Sequence, residues 1–212
     1  MYKIIEKSDS LYPEGLLELK WPPPVLFCEG NIALLKAKNI AVVGTRRMSV
    51  YGRQVTETFT RDLVKNGWCI VSGLARGVDR TAHETALKYK GETVAVLAHG
   101  LDMTYPPEHA ELRKRIVTSG GLVLSEYPEG EPLTKQRLAL RNRIVVGLSE
   151  CVLVTESPKS SGTKITVGWA ADAGKDVYVV PGPVNDPTYE GSVELLREGC
   201  IAAGSVQDII QS

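Results

Sequence analysis

Cysteine is sparse and scattered in this chain. Cys28, Cys69, Cys151 and Cys200 form no CxxC pair and take no metal-ligand spacing against the three histidines. That excludes a disulfide scaffold and a zinc module, and the thiols read as small core residues of a reduced, cytoplasmic protein. No apolar run approaches the ~20 residues of a membrane span, and no basic-then-apolar signal pattern opens the chain. Neither membrane insertion nor secretion is indicated. An excess of one charge is missing too, since 25 Lys plus Arg balance 25 Asp plus Glu. A polyanionic partner must therefore be held by a local patch rather than a global field. GxGxxG and GxxxxGK[ST] are absent, which removes a dinucleotide fingerprint and a Walker loop. GxSxG is absent, which removes a nucleophile elbow. No repeat, low-complexity stretch or flexible linker divides the chain.

What is present is a regular alternation. Its 212 residues suffice to bury a core on both faces of a sheet. Five apolar runs read as strands, each ending in a small or charged cluster. They are Ile40 to Val43 before Gly44-Thr45-Arg46, Cys69 to Val71 before Ser72-Gly73, and Thr93 to Ala98 before His99-Gly100-Leu101-Asp102. Cys151 to Val154 before Thr155-Glu156 and Val177 to Val180 before Pro181-Gly182 complete the set. Between them lie stretches of helical period. From Gly52 to Asn66, Val55, Phe59 and Leu63 fall on one face, and Gly67 is placed to close the helix. Strand and helix alternating at this interval predict an α/β fold, a Rossmann-like, doubly wound, mostly parallel sheet with helices on both faces. In such a sheet the loops leaving the carboxyl ends of the strands converge at the switch point of strand order. The five clusters are therefore expected to form one site. Residues 1–38 show little periodicity, and Pro22-Pro23-Pro24 favours extended backbone. This segment reads as an arm packed on a main domain of residues 39–212.

The clusters suggest anion binding. Gly44-Thr45-Arg46-Arg47 leaves a strand where the chain must turn sharply and present backbone N–H groups; a plain glycine turn with a solvated arginine is the other reading. Ser72-Gly73 opens a loop to Asp79 in which small residues allow close approach to a ligand, with Asp79 either capping a helix or accepting from a hydroxyl. Arg46, Arg47, Arg76, Lys135, Arg137, Arg141, Arg143 and Lys164 all fall in or near this edge. In Arg141-Asn142-Arg143 the two arginines point the same way only in extended backbone and diverge in a helix. No catalytic or metal constellation emerges. His83 lies on a predicted helix as a packing or capping residue, and His99 and His109 lack partners for a metal. Glu126 and Glu156 read either as a carboxylate pair or as partners of backbone N–H groups and arginines. Tyr105 and Tyr127 are the stacking candidates.

Several of these segments together resemble the bacterial DNA-processing protein A (Smf) family. They are Gly44-Thr45-Arg46, Tyr51-Gly52, Ser72 to Asp79 with Ala82-His83, Gly100-Leu101-Asp102 with Tyr105-Pro106, and Ser125-Glu126-Tyr127-Pro128. Arg141-Asn142-Arg143 with Gly147-Leu148-Ser149, Ser161-Gly162-Thr163 and Val180-Pro181-Gly182 continue the series in the same order. The resemblance covers the chain from about Tyr12; the helical and winged-helix modules many members carry are not visible in it. It implies sequence-tolerant binding of single-stranded DNA, delivery of a RecA-type recombinase, as in natural transformation, and homodimer formation; no cofactor, metal or catalysis is read from the residues. The implied phosphate contacts are Gly44, Thr45, Arg46 and Arg47, the Ser72-Gly73 backbone, and Lys135 with Arg141, Asn142 and Arg143. Ser161, Gly162, Thr163 and Lys164 form a second anion nest. Leu138-Ala139 replaces the family's usual Phe-Pro pair, Val193 and His109 replace asparagines, and Lys164 replaces an apolar residue. A rival reading is a small-nucleotide sensor or a nucleoside-monophosphate phosphoribohydrolase. Ser161-Gly162-Thr163 resembles only part of that group's phosphate loop, and no glutamate follows in the next turn.

Overall fold

Short runs of Val, Ile, Leu and Ala bury both faces of a sheet only if helices cover both, and these runs do so in the computed structural model, which describes residues 2–159, 161–183 and 185–211. Nine strands are seen among the described residues. They are β1 (Lys3–Glu6), β2 (Val25–Gly30), β3 (Asn39–Val43), β4 (Cys69–Ser72), β5 (Thr93–Val96), β6 (Leu122–Ser125), β7 (Cys151–Val154), β8 (Val177–Val179) and β9 (Ile201–Ala202). Their order is β1-β2-β6-β5-β4-β3-β7-β8-β9. From β6 to β9 every pairing is parallel, whereas β1 and β2 pair antiparallel at one edge. The helices are α1 (Glu14–Leu17), α2 (Val50–Lys65), α3 (Val78–Lys88), α4 (Ala110–Thr118), α5 (Lys135–Gly147), α6 (Thr163–Asp172), α7 (Glu190–Arg197) and α8 (Gln207–Ile210).

Alternation along each strand sorts the core into two layers. Ile40 and Val42 of β3 meet Phe59 and Leu63 of α2 with Ala82 and Ala86 of α3. Ala41 and Val43, on the opposite face, meet Ile144 and Val145 of α5 and Ala170 of α6. Each fully buried Leu or Ile there contributes roughly 1.5–3 kcal/mol. Helix α2 matches the sequence reading: Ser49 caps it by accepting from Gly52 N at 3.0 Å, and Asn66 ends it before Gly67.

The chain leaves β3 and walks through β4 and β5 to β6, then returns through α5 to lay β7 on the other side of β3. The order therefore reverses between β3 and β7, and the crevice at their carboxyl ends is the position where such sheets bind ligands. Residues 2–38 add two strands, α1 and a tight helical turn at Ile32–Lys36. Tyr12 O–H donates to the Pro23 carbonyl at 2.5 Å and ties the proline run to the body.

Candidate functional site

The loop after β3 carries Gly44 to Ser49 and is fixed from three sides. Thr45 N donates to the Glu156 carbonyl at 2.9 Å, and Val78 N donates to the Thr45 carbonyl at 3.1 Å. The Glu156 carboxylate, at the end of β7, accepts from Ser49 N at 3.0 and 3.1 Å, from Ser49 Oγ at 2.7 Å and from Tyr189 O–H at 3.3 Å. Gly77 sits at φ +75°, where a side chain would be strained and a Cβ would strike the backbone of Thr45 and Arg46. Held this way, Arg46 and Arg47 stand exposed, and their side chains make no hydrogen bond or ion pair among the described residues.

Opposite them, Arg141 rises from α5 and is only 6% exposed. Its Nη1 donates to the Val96 carbonyl, its Nε has no partner, and it makes no ion pair among the described residues. Burial pulls its pKa below the ordinary arginine value, Asp79 opposes that, and Arg46 adds to it. A guanidinium nonetheless stays charged in proteins. A desolvated cation with an unmet donor is costly unless an anion completes it. Gly73 borders this group so closely that a Cβ there would run into the Arg141 guanidinium and the Asp79 carboxylate.

These groups share one cleft of about 720 Å³. Of the residues singled out in the sequence, Gly44, Thr45, Arg46, Arg47, Gly73, Lys135, Arg141, Asn142, Ser161, Gly162 and Thr163 line it. Asn142 Nδ2 donates to Thr166 Oγ1 at 2.9 Å and joins α5 to α6 across the floor. Helix α6 starts at the cleft, where Ser161 Oγ accepts from Thr163 N at 3.2 Å, and the positive end of its dipole favours an anion there.

Three of the expected residues lie elsewhere. Ser72 Oγ is buried and donates to the Val42 carbonyl at 2.7 Å, stitching β4 to β3. Arg143 diverges from Arg141 because the segment is helical. Its Nη1 and Nη2 donate to Glu126 at 2.7 and 2.5 Å, its Nε donates to the Trp21 carbonyl at 2.7 Å, and Nη1 also reaches the Leu140 carbonyl at 3.0 Å. Lys164 turns to Glu194 on α7, with Nζ to Oε2 at 2.6 Å. Glu126 and Glu156 are thus committed separately and form no carboxylate pair. The strand-end clusters also converge only in part. His99 borders a small side pocket of about 40 Å³ that shares Arg46 and Arg141 with the cleft. Thr155 is buried beneath the cleft wall, bonded to Thr56, and Pro181-Gly182 is not on that wall. Sequence patterns pass over Val145, Pro187 and Thr188, which line the cleft without any motif. Among the described residues no group of His, Cys, Asp and Glu is placed to hold a metal.

His83 and His99 are structural. His83 Nε2 lies 2.5 Å from the Gly73 carbonyl oxygen and Nδ1 lies 2.7 Å from Thr93 Oγ1. A carbonyl only accepts, so the proton is assigned to Nε2, and Nδ1 accepts from the hydroxyl. Burial lowers the pKa of His83 against the opposing Gly73 hydrogen bond, and burial lowers that of His99 likewise. Below about pH 6.5 the unfolded chain therefore binds more protons than the folded one. Stability is full above that pH and is lost as the pH falls toward the depressed folded-state values, by at most ~1.4 kcal/mol per pH unit per histidine. Urea melts at about pH 7.5 and about pH 5.5 check this; equal or greater stability at the lower pH would contradict neutral buried imidazoles.

Known proteins share both sequence and architecture with this chain. The family model described as DNA recombination-mediator protein A matches residues 3–212. The DNA processing protein DprA of Bacillus subtilis is 38% identical over 205 residues, which cover 96% of this chain and 69% of that protein. Protein Smf of Escherichia coli is 36% identical over 211 residues, 100% of this chain but 56% of its own length. The crystal structure of Streptococcus pneumoniae DNA processing protein A superposes with a TM-score of 0.94 at 39% identity, covering 100% of this chain and 74% of the other. The Helicobacter pylori DNA processing protein A, for which a single-stranded DNA binding mode is described, superposes with a TM-score of 0.89 at 34% identity over 100% and 94% of the two chains.

Proposed function

Since the chain belongs to the DNA recombination-mediator protein A family, we propose that its cleft binds the phosphates of single-stranded DNA without regard to sequence. The observation that carries this reading is the buried Arg141, with an unmet Nε donor and no ion pair among the described residues, in one cleft with Arg46, Arg47 and Lys135. Such a groove tracks the backbone electrostatically and tolerates any sequence. A net charge of zero is no obstacle, because Arg46, Arg47, Lys135 and Arg141 gather on one edge. His83, His99 and Glu156 are committed to buried hydrogen bonds, which supports a binding role rather than a catalytic one. On the family's pattern, the bound strand is handed to a RecA-type recombinase, and the protein works as a homodimer in the cytoplasm. No helix among the described residues is long and apolar enough to cross a membrane.

Arg46→Ala tests the cleft directly. Oligothymidine binding is expected to weaken, and the slope of log K against log salt to shrink by about 0.7 for each phosphate no longer neutralised, with the melting temperature nearly unchanged. An unchanged slope with lower stability would make Arg46 a structural residue. Nucleoside monophosphates at equal phosphate concentration are expected to compete poorly. Tight competition, or release of free base, would turn the reading toward small nucleotides.

A further inference from the structure

No residue on the cleft wall is aromatic among those described. An unpaired strand whose phosphates lie there still carries bases that need a flat apolar partner. Two neighbouring hollows offer aromatic surface. The one beside Tyr105 is only about 40 Å³, and the ring of Tyr127 is covered by the Arg137 guanidinium at 4.5 Å. The other is an open hollow of about 490 Å³ between α5 and α6. Ala139 and Ile165 line both this hollow and the cleft, so the two are continuous.

The wall of the second hollow is built rather than incidental. Trp169 Nε1 donates to the Ala139 carbonyl at 3.3 Å, which sets the indole against α5. Trp21 meets it edge-on, with centroids 5.7 Å apart and planes at 76°. The Trp21 carbonyl is itself held by Arg143 Nε at 2.7 Å, yet its side chain is 54% exposed. Lys20 Nζ stands 5.1 Å from the Trp21 ring and supplies a cation beside the aromatic surface. Ile165 is 45% exposed on the same wall. Exposed apolar groups gathered in this way mark an interaction surface.

We propose that the α5–α6 hollow, with Trp169 and Trp21, is a stacking platform for the bases that leave the phosphate cleft. This rests on the reading of the cleft as a single-stranded DNA site. The strand crosses at Ala139 and Ile165, with Lys135 at the start of α5 on the cleft side of the crossing and Lys20 beside Trp21.

Two probes of equal length separate bases from phosphates: a 20-nucleotide oligothymidine and its abasic deoxyribose-phosphate counterpart. Trp21→Ala is expected to weaken oligothymidine binding about 5- to 100-fold, while abasic binding stays within about twofold and the salt slope does not change. Trp21→Phe restores most of the loss. Tryptophan emission of the wild type is quenched by oligothymidine but not by the abasic strand, and since Trp68 is buried the signal comes from Trp21 and Trp169. Unchanged oligothymidine binding by Trp21→Ala overturns the platform while leaving the cleft intact, provided Arg46→Ala weakens both probes. Failure of the wild type to bind either probe overturns cleft and platform together. If Trp21→Ala instead changes only the oligomeric state in light scattering, the hollow is a contact between copies of this chain and the proposal falls.

Discussion

Replacing Arg141 by methionine is expected to weaken oligothymidine binding about 30- to 1000-fold, as for truncation of a buried charged hydrogen-bonding partner. The folded protein should hardly notice. The native guanidinium carries a desolvation cost that Asp79, close by but without an ion pair to it, offsets only in part, and removing it returns the rest. Against this, the Val96 carbonyl loses its Arg141 donor, at a cost of about 1–3 kcal/mol. Methionine keeps most of the volume. The two terms oppose, so stability should move by less than about 2 kcal/mol. Anisotropy titration and a thermal melt on the same sample read both quantities. Affinity retained in the variant would mean that the buried cation faces the cleft without serving it.

Arg143→Met should do the reverse. Its side chain and that of Glu126 are 4% and 8% exposed, and they are joined by two hydrogen bonds of 2.7 and 2.5 Å. Breaking such a pair strands a buried carboxylate and costs about 3–5 kcal/mol, or roughly 6–20 °C in melting temperature for a chain of this size. The salt slope of binding by the folded molecules should be unchanged, with affinity altered only through the Trp21 carbonyl that Arg143 holds. The double variant Arg143→Met, Glu126→Leu should recover much of the loss, because the uncompensated charge is gone. A variant that melts normally but has a smaller salt slope would restore Arg143 to the phosphate set.

The contrast between these arginines shows where sequence is legible. Residues two apart on a helix point about 200° apart, so Arg141 and Arg143 had to separate once α5 was a helix, yet nothing in the spelling Arg-Asn-Arg says which one meets the cleft. That depends on the tilt of α5 across the sheet and on Glu126 waiting at the end of β6. Lys164 is similar: its place at the start of α6 is readable, but Glu194 comes from a later helix. Gly44, Gly73 and Ser161 to Thr163 were legible because strand-end glycines and small residues have few other uses at a switch point. For the fold, unbroken runs such as Ile40 to Val43 declare buried strands. Leu122 to Leu124 is as short as Cys69 to Val71 but lacks the Ser-Gly that follows the latter, and β1 and β2 lie at an edge where only alternate residues such as Ile5, Leu26 and Cys28 are buried. Trp21 and Trp169 meet only in three dimensions.

The most direct test compares an oligothymidine with a hairpin duplex of equal length by anisotropy at matched salt. A cleft lined by strand-end loops together with α5 and the start of α6, with backbone approach at Gly73, should favour the unpaired strand by at least ~10-fold. Equal affinity for the two would contradict the assignment of this cleft to single-stranded DNA.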